Sequence, residues 1–178
     1  MKRSLLDIPV EERFLEDYTE GSVYEFGSVK VEESQIIEFA SRFDPQPFHT
    51  DPAAARHTKF GGIVASGWHT AAMAMSMLVK NYVPRGSAIG SPGVDQLRWH
   101  LPVRPGDTLS VRVTILETRP SRSKPDRGLL RTFVEVINQH REVVTSWRGM
   151  LIVFRKGHSQ IQDILQISST TVPNTVDS

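Results

Sequence analysis

The sequence FDPQPFHTDP, residues 43–52, places a carboxylate and an imidazole, Asp44 and His49, five positions apart in a stretch with three prolines. Five residues of an α-helix turn through about 500°, which would leave the two side chains about 140° apart around the axis. Pro47 removes an amide donor and clashes with the preceding turn, and residues before proline favour extended backbone. We therefore expect a rigid turn or loop. Such a connector can hold both side chains over one point, as acid–base chemistry requires.

Residues 31–43, directly before Asp44, are predicted to form an amphipathic helix. Apolar side chains recur there at helical spacing between charged ones. The apolar set is Ile36, Ile37, Ala40 and Phe43. This helix would deliver the chain to Asp44.

A second helix is predicted from Trp68 to Val79, where the sequence WHTAAMAMSMLV is apolar almost all round. A helix without a polar face is normally enclosed by the rest of the protein, so we expect it to be the central helix. Ser66 and Gly67 form a good N-cap pair before it, and their small size lets a ligand approach the backbone closely. His69, in the first turn, is expected to make a structural hydrogen bond.

The second half of the chain is strand-like. Residues 109–115 alternate between apolar and polar side chains, the pattern of a strand with one buried face. Further β-rich runs cover residues 94–101, 130–137 and 143–154, and the polar turn 138–142 joins the last two. Glycines and a proline at the start of the first of these runs suggest a bulge. Long strands linked by short turns favour antiparallel pairing, so the sequence predicts an α+β protein.

The string FASRFDPQPFHTDPAAA, residues 39–55, resembles the signature of the MaoC-like hydratase/dehydratase family, which includes the R-specific enoyl-CoA hydratases. The resemblance extends from about Asp17 to about Arg155. It implies a hot-dog fold, in which an antiparallel sheet wraps a long central helix. It also implies reversible addition of water to a 2-enoyl thioester, with acyl-CoA or an acyl carrier protein thioester as substrate and no organic cofactor.

The resemblance assigns Asp44 and His49 as the catalytic pair and the amide of Gly67 as the oxyanion donor. We expect Asp44 to take a proton from water while His49 positions the water, although the two roles are open to exchange. Two departures from the family pattern are visible. Gln46 stands where the enoyl-CoA hydratases usually carry Asn, and Met75 stands where relatives place a supporting serine.

Five residues are candidates for substrate binding: Gln46, Ser66, Asp95, Arg98 and Arg122. Asp95 and Arg98 could line a substrate tunnel or pair with each other. Arg122 lies in the basic, proline-containing segment 118–128, whose guanidinium groups suit the phosphates of CoA. The alternative for that segment is a solvated hairpin loop.

The composition limits the classes of partner. The chain has 178 residues, 21 Lys and Arg against 20 Asp and Glu, and no cysteine. The absence of cysteine excludes disulfides, thiolate metal sites and a cysteine nucleophile. The chain contains no polybasic run of the kind that would predict binding to nucleic acid or to a membrane. The spacing of its histidines is also not that of a metal site. No window approaches about 18 uninterrupted apolar residues, and we expect a cytoplasmic protein.

We expect one domain over residues 1–156, followed by a tail, 157–178, that forms a short helix and then becomes disordered. A lone hot-dog protomer exposes an edge strand and one end of its helix. The resemblance therefore implies a homodimer, or a higher oligomer built from dimers, with active sites near the interface.

Two other functions remain open at this stage. Hot-dog folds also host thioesterases, which commonly carry an acid on or near the central helix. Residues 68–79 contain no carboxylate, which weighs against that activity. The other alternative is a protein that binds acyl thioesters without turnover.

Overall fold

A computed structural model describes residues 4–158 of the chain. Two short 3-10 turns, Leu5–Asp7 and Leu15–Asp17, precede the first strand. The helices are α1 Glu33–Phe43, α2 Pro47–Thr50, α3 Pro52–Arg56 and α4 Gly67–Asn81. The strands are β1 Val23–Lys30, β2 Ala88–Trp99, β3 Thr108–Pro120, β4 Arg127–Ile137 and β5 Val143–Phe154. The helix predicted within the C-terminal tail lies outside the described residues.

The five strands form one sheet in the order β1-β3-β4-β5-β2, and every neighbouring pair in it is antiparallel. The strands predicted over residues 94–154 are therefore confirmed, and the hairpin turn expected at 138–142 joins β4 to β5. The prediction did not include β1. Its alternation is interrupted by Gly27, whose φ of 78° belongs to the left-handed region, and this break hides the period of two.

The predicted central helix is α4, which begins one residue earlier than expected and ends two residues later. It packs against β1, β3 and β5. Its buried side chains are His69, Thr70, Met73, Ala74, Met77 and Leu78. The expectation that the whole helix is enclosed is wrong for the single chain, because Trp68 is 62% exposed and Met75 is 47% exposed. The uncovered side of α4 is largely apolar, although Ser76 and Lys80 are exposed there as well.

The last turn of α4 is fastened to the N-terminal segment by a buried arginine. Arg13 is 3% exposed, and its Nη1 donates to the carbonyls of Asn81 at 2.7 Å and Tyr82 at 3.3 Å. The Tyr18 hydroxyl donates to the same Tyr82 carbonyl at 2.8 Å. A cation at the carboxyl end of a helix complements the negative end of the helix dipole. These bonds fix where α4 ends.

Strand β2 is an edge strand with an irregular course. Its pairing with β5 shifts register at three places, between Ala88 and Gly90, Gly90 and Gly93, and Asp95 and Arg98, so the bulge expected here is confirmed. Gln96 has a φ of 53°, a backbone conformation that residues other than glycine rarely adopt. The bulges bend the strand, whose last residues lie beside the start of α4.

The segment 43–52 is partly helical, which corrects the expectation of a turn or loop throughout. Asp44 ends α1 with φ −155° and ψ 68°, so no single helix runs from Asp44 to His49, as expected. Pro47 and Pro52, however, each occupy the first positions of a short helix. The amides of the first residues of a helix have no acceptor within the helix, so a proline at those positions costs no hydrogen bond. The fixed φ of proline also suits the helix.

Within the part of the chain described by the structure, no helix is long and apolar enough to cross a membrane.

Candidate active site

Asp44 and His49 meet at one point, although they belong to different elements. Asp44 is the C-cap of α1, and His49 lies in α2 after the Pro45–Pro47 kink. Oδ2 of Asp44 lies 3.4 Å from Nε2 of His49. His49 is buried, whereas the side chain of Asp44 is 22% exposed. The structure thus brings together the two residues that the sequence singles out for acid–base chemistry.

The imidazole of His49 is fixed by the backbone of a distant segment. Its Nδ1 lies 2.6 Å from the carbonyl oxygen of Val64. A carbonyl only accepts hydrogen bonds, so Nδ1 carries a proton. The nitrogen that can gain or lose a proton is therefore Nε2, the atom that faces Asp44.

The carboxylate of Asp44 accepts hydrogen bonds from two side chains. The Ser66 hydroxyl donates to Oδ2 at 2.7 Å, and Nε2 of Gln46 donates to Oδ1 at 3.1 Å. The Ser66 hydrogen bond is the largest cause that lowers the pKa of Asp44, and the Gln46 bond and the His49 charge lower it further. Ser66 and Gln46, which were expected to bind substrate, both donate hydrogen bonds to the Asp44 carboxylate, and these bonds favour its ionised form.

Gly67 begins α4 directly beside this cluster. Ser66 is the N-cap, and its Oγ accepts the amide of Trp68 at 3.2 Å. The amide of Gly67 is one of the N–H groups of the first turn for which the helix supplies no acceptor. The positive end of the helix dipole also favours negative charge at this place. Gly67 is therefore positioned to donate to an oxyanion.

The indole of Trp99, at the end of β2, covers Gly67. A Cβ built on Gly67 would lie 2.6 Å from Cε2 of that indole, closer than real Cβ atoms approach other atoms. Glycine is needed at position 67 because β2 passes so close. Trp99 also meets Trp68 edge-to-face, with ring centroids 5.7 Å apart.

A cavity of about 390 Å³ opens beside these residues. His49, Gly67 and Thr70 form part of its lining, together with Trp99. Phe48 and Phe60 contribute aromatic walls, their ring centroids 5.3 Å apart. We call this cavity the active-site pocket. Its size and its mixture of aromatic and few polar groups are typical of small-molecule sites.

Three of the predicted substrate residues do not line this pocket. Asp95 is on β2, opposite Arg148 on β5, and Nη1 of Arg98 donates to the carbonyl of its own neighbour Leu97. Arg122 lies in the loop between β3 and β4, where it lines a different cavity of about 480 Å³. The sequence could not place these residues, because sheet order decides which end of a strand reaches the helix.

His69 and Met75 also differ from expectation. The structural hydrogen bond predicted for His69 is not made by Nδ1, which is buried without a partner among the described residues. Instead the ring stacks on Phe39 with centroids 4.7 Å apart, and burial lowers the pKa of His69. Met75, which replaces a serine of the family pattern, points out of the chain on the uncovered side of α4.

No sequence pattern pointed to several of the residues that form the pocket. Val64 acts through a backbone carbonyl, which no side-chain pattern reveals. Trp99 and His100 stand at the end of a strand, and only the bend of β2 brings them to α4. His100 is held there by the Ser146 hydroxyl, 2.8 Å from its Nε2.

Comparison with known proteins identifies the family. The model of the MaoC like domain matches residues 17–134. The chain belongs to the MaoC-like dehydratase family. The YdeM protein of Bacillus subtilis (strain 168) is 31% identical over 142 residues, which is 80% of this chain and 98% of YdeM.

Two solved structures share the fold of this chain. A MaoC-like dehydratase from Rhodospirillum rubrum is 43% identical, with a TM-score of 0.76 over 82% of this chain and 99% of that chain. The R-hydratase PhaJ1 from Pseudomonas aeruginosa is 24% identical, with a TM-score of 0.63 over 80% of this chain and 86% of that chain. These matches confirm the hot-dog fold that the resemblance implied.

Proposed function

We propose that the protein catalyses the reversible hydration of a 2-enoyl thioester to a 3-hydroxyacyl thioester, with CoA as the thiol carrier. The observation that supports this most directly is the Asp44–His49 pair, 3.4 Å apart, beside the free amide end of α4. The two side chains can bind a water molecule, and the amide at the start of α4 can donate a hydrogen bond to the thioester oxygen. Membership of a family with R-hydratases among its structural neighbours supports the same chemistry.

Water would bind between Asp44 and His49. The Asp44 carboxylate and the unprotonated Nε2 of His49 are both hydrogen-bond acceptors, so one water molecule can donate a proton to each. Because the Ser66 and Gln46 hydrogen bonds lower the pKa of Asp44, this carboxylate is a weak proton acceptor. We therefore assign the proton to Nε2 of His49 and the orienting role to Asp44, the reverse of the sequence-based expectation.

In this mechanism the imidazole of His49 accepts a proton from water and later returns it to the substrate. The water oxygen attacks the β-carbon while one of its O–H bonds breaks and the proton moves to Nε2 of His49. Electrons of the double bond move toward the α-carbon and the thioester oxygen. The imidazolium, stabilised by the Asp44 charge, returns the proton to the α-carbon. Dehydration is the same sequence in reverse.

The negative charge that builds on the thioester oxygen needs a donor, and the Gly67 amide fits this role. Hydrogen bonds aimed at a developing oxyanion are often the largest single contribution to such catalysis. The edge of Trp99 over Gly67 would also exclude bulk water from that oxygen, which strengthens the interaction.

The test is an absorbance assay with trans-2-enoyl-CoA thioesters, run beside a thiol reagent that detects free CoA. We expect the parent protein to remove the enoyl absorbance without releasing thiol. Asp44→Asn and His49→Gln should each lose about two to four orders of magnitude in rate.

The matched control is Asp51→Asn, from the same segment. Asp51 caps α3 by accepting the amides of Ala53 and Ala54, and asparagine caps helices equally well. We expect this variant to retain activity. Release of free thiol by the parent would instead identify a thioesterase. A parent that binds acyl-CoA without either reaction would be a binding protein.

We also propose that the protein forms a homodimer through β2 and the uncovered side of α4. Edge strands present unpaired backbone groups, and large apolar side chains are exposed on both elements. These are Trp68, Met75, Val79, Val94 and Trp99. Sedimentation should give twice the chain mass of 20.0 kDa, and Val94→Lys should shift the protein toward monomer. A monomeric parent at micromolar concentration would contradict this proposal.

A further inference from the structure

The face of the sheet that points away from α4 carries aliphatic side chains at one end. Leu129 on β4 is paired with Ile152 on β5, and residues directly opposite each other on neighbouring strands project to the same face. The next residues along these strands, Leu130 and Val153, belong to the buried core. Since successive side chains of a strand point to opposite faces, Leu129 and Ile152 lie outside that core, where each is only partly buried.

The loop between β3 and β4 and these side chains enclose a cavity of about 480 Å³. Ile89, near the start of β2, adds a third aliphatic side chain to its lining, and residues 119–124 and 127–128 complete it. We call this the hairpin cavity. It shares no described lining residue with the active-site pocket. Its volume lies within the range of small-molecule sites.

The loop that forms one side of the hairpin cavity is held by hydrogen bonds. The Ser121 amide donates to the Arg127 carbonyl at 2.9 Å, and the Ser121 hydroxyl accepts the Lys124 amide at 3.2 Å. Pro120 and Pro125 each fix one backbone dihedral angle. The side chains of the loop are therefore presented to the cavity on a restrained backbone.

The charged side chains that line the hairpin cavity are all basic among the described residues: Arg119, Arg122, Lys124 and Arg127. Arg119 pairs with Glu117, and Arg127 pairs with Asp126. Over residues 4–158, Arg122 and Lys124 have no carboxylate partner. Other exposed cations of the chain also lack one, but these two share a single cavity with three aliphatic side chains. The cavity thus combines net positive charge with an apolar surface.

We propose that the hairpin cavity binds an amphipathic anion, in which one carboxylate or phosphate group is carried by an apolar chain. The chain would contact Ile89, Leu129 and Ile152, whose burial favours binding. The Arg122 guanidinium and the Lys124 ammonium would bind the anionic head group. This second site is separate from the proposed hydration and does not depend on it.

Calorimetric titration of the full chain with octanoate tests both halves of this proposal. Octanol has the chain without the charge, and acetate has the charge without the chain. We expect octanoate to bind at least roughly tenfold more tightly than either, because each control loses one of the two sets of contacts. Titration with octyl phosphate then distinguishes the two head groups, since the tighter ligand identifies the one that the site prefers.

The double variant Arg122→Gln with Lys124→Gln should weaken octanoate binding roughly tenfold, and added salt should narrow this difference. The matched control is Arg56→Gln with Lys59→Gln, which changes the net charge equally at two exposed positions. Because Lys59 lines the active-site pocket, this control would also reveal octanoate bound there. We expect the control to bind octanoate as the parent does.

Methyl NMR of the parent locates the ligand. Octanoate should shift the methyl signals of Ile89, Leu129 and Ile152. Shifts confined to Val64 and Val103, which line the active-site pocket, would overturn the inference. So would the absence of binding by both octanoate and octyl phosphate, equal affinity for octanol and octanoate, or equal weakening by the two double variants. The enoyl-thioester assay is read separately, so neither proposal fails with the other.

Discussion

The Trp99 indole lies against the α-carbon of Gly67, so that a Cβ at position 67 would be 2.6 Å from the ring. This contact joins the end of the edge strand to the first turn of the central helix. It places an aromatic wall beside the amide that is proposed to bind the thioester oxygen. The position of β2 and the geometry of the oxyanion site are therefore coupled.

Gly67→Ala should lower kcat/KM by about a hundredfold, because the added methyl group must displace the indole or the helix terminus beside the reacting atoms. Steady-state kinetics on the enoyl thioester would measure this loss. The double variant Gly67→Ala with Trp99→Ala should recover part of it, since the methyl group then has space. Unchanged activity of Gly67→Ala would show that the close contact has no catalytic role.

Ser66→Ala should raise the pKa of the Asp44 carboxyl group. The Ser66 hydroxyl is the largest cause that lowers this pKa, so its removal takes away the main stabilisation of the carboxylate. Carbon NMR of labelled aspartate carboxyl groups would follow the titration of Asp44 in the parent and in the variant. Ser66→Thr, which keeps a hydroxyl, is the control. Titration curves of Asp44 that superimpose for the parent and Ser66→Ala would contradict the assigned role of Ser66.

His49 should be protonated at Nδ1 in both of its charge states, because that nitrogen donates to the Val64 carbonyl. Nitrogen NMR of the labelled imidazole would report this tautomer directly. A neutral ring protonated at Nε2 would leave that nitrogen unable to accept a proton from the water and would rule out the proposed proton transfer.

Arg13→Ala should destabilise the fold by about 2 kcal/mol, because it leaves the carbonyls at the end of α4 without their charged donor. The free energy of unfolding in urea would measure this loss. Arg13→Lys should not restore full stability, since one ammonium cannot reproduce the spread of the guanidinium donors that also reach Ile8. A loss below about 0.5 kcal/mol, typical of surface positions, would contradict the capping role.

The sequence was sufficient for most of the local elements and for singling out the Asp44–His49 pair. Periodicity located α1, α4 and the four later strands, because each has a long, regular apolar pattern. Asp44 and His49 could be singled out because their spacing and the prolines between them lie in one short stretch. The missed strand, β1, is shorter and is broken by Gly27.

The surroundings of that pair could not be read from the sequence, because they depend on contacts between distant segments. Ser66 reaches Asp44 across 22 positions, and a small polar residue before a helix predicts only a cap. Trp99 reaches Gly67 through the bend of an edge strand. Arg122 was a candidate for phosphate binding because of its charge, beside the alternative of a solvated loop, and charge does not say which cavity a loop lines.

The most direct test of the central claim is the reaction of a trans-2-enoyl-CoA in heavy-oxygen water, with mass spectrometry of the products. The account predicts an intact CoA thioester that carries one labelled hydroxyl at the β-carbon, formed by the parent and not by Asp44→Asn. A free carboxylic acid that carries the label, with release of unlabelled CoA, would contradict it, because water would then have attacked the thioester carbonyl.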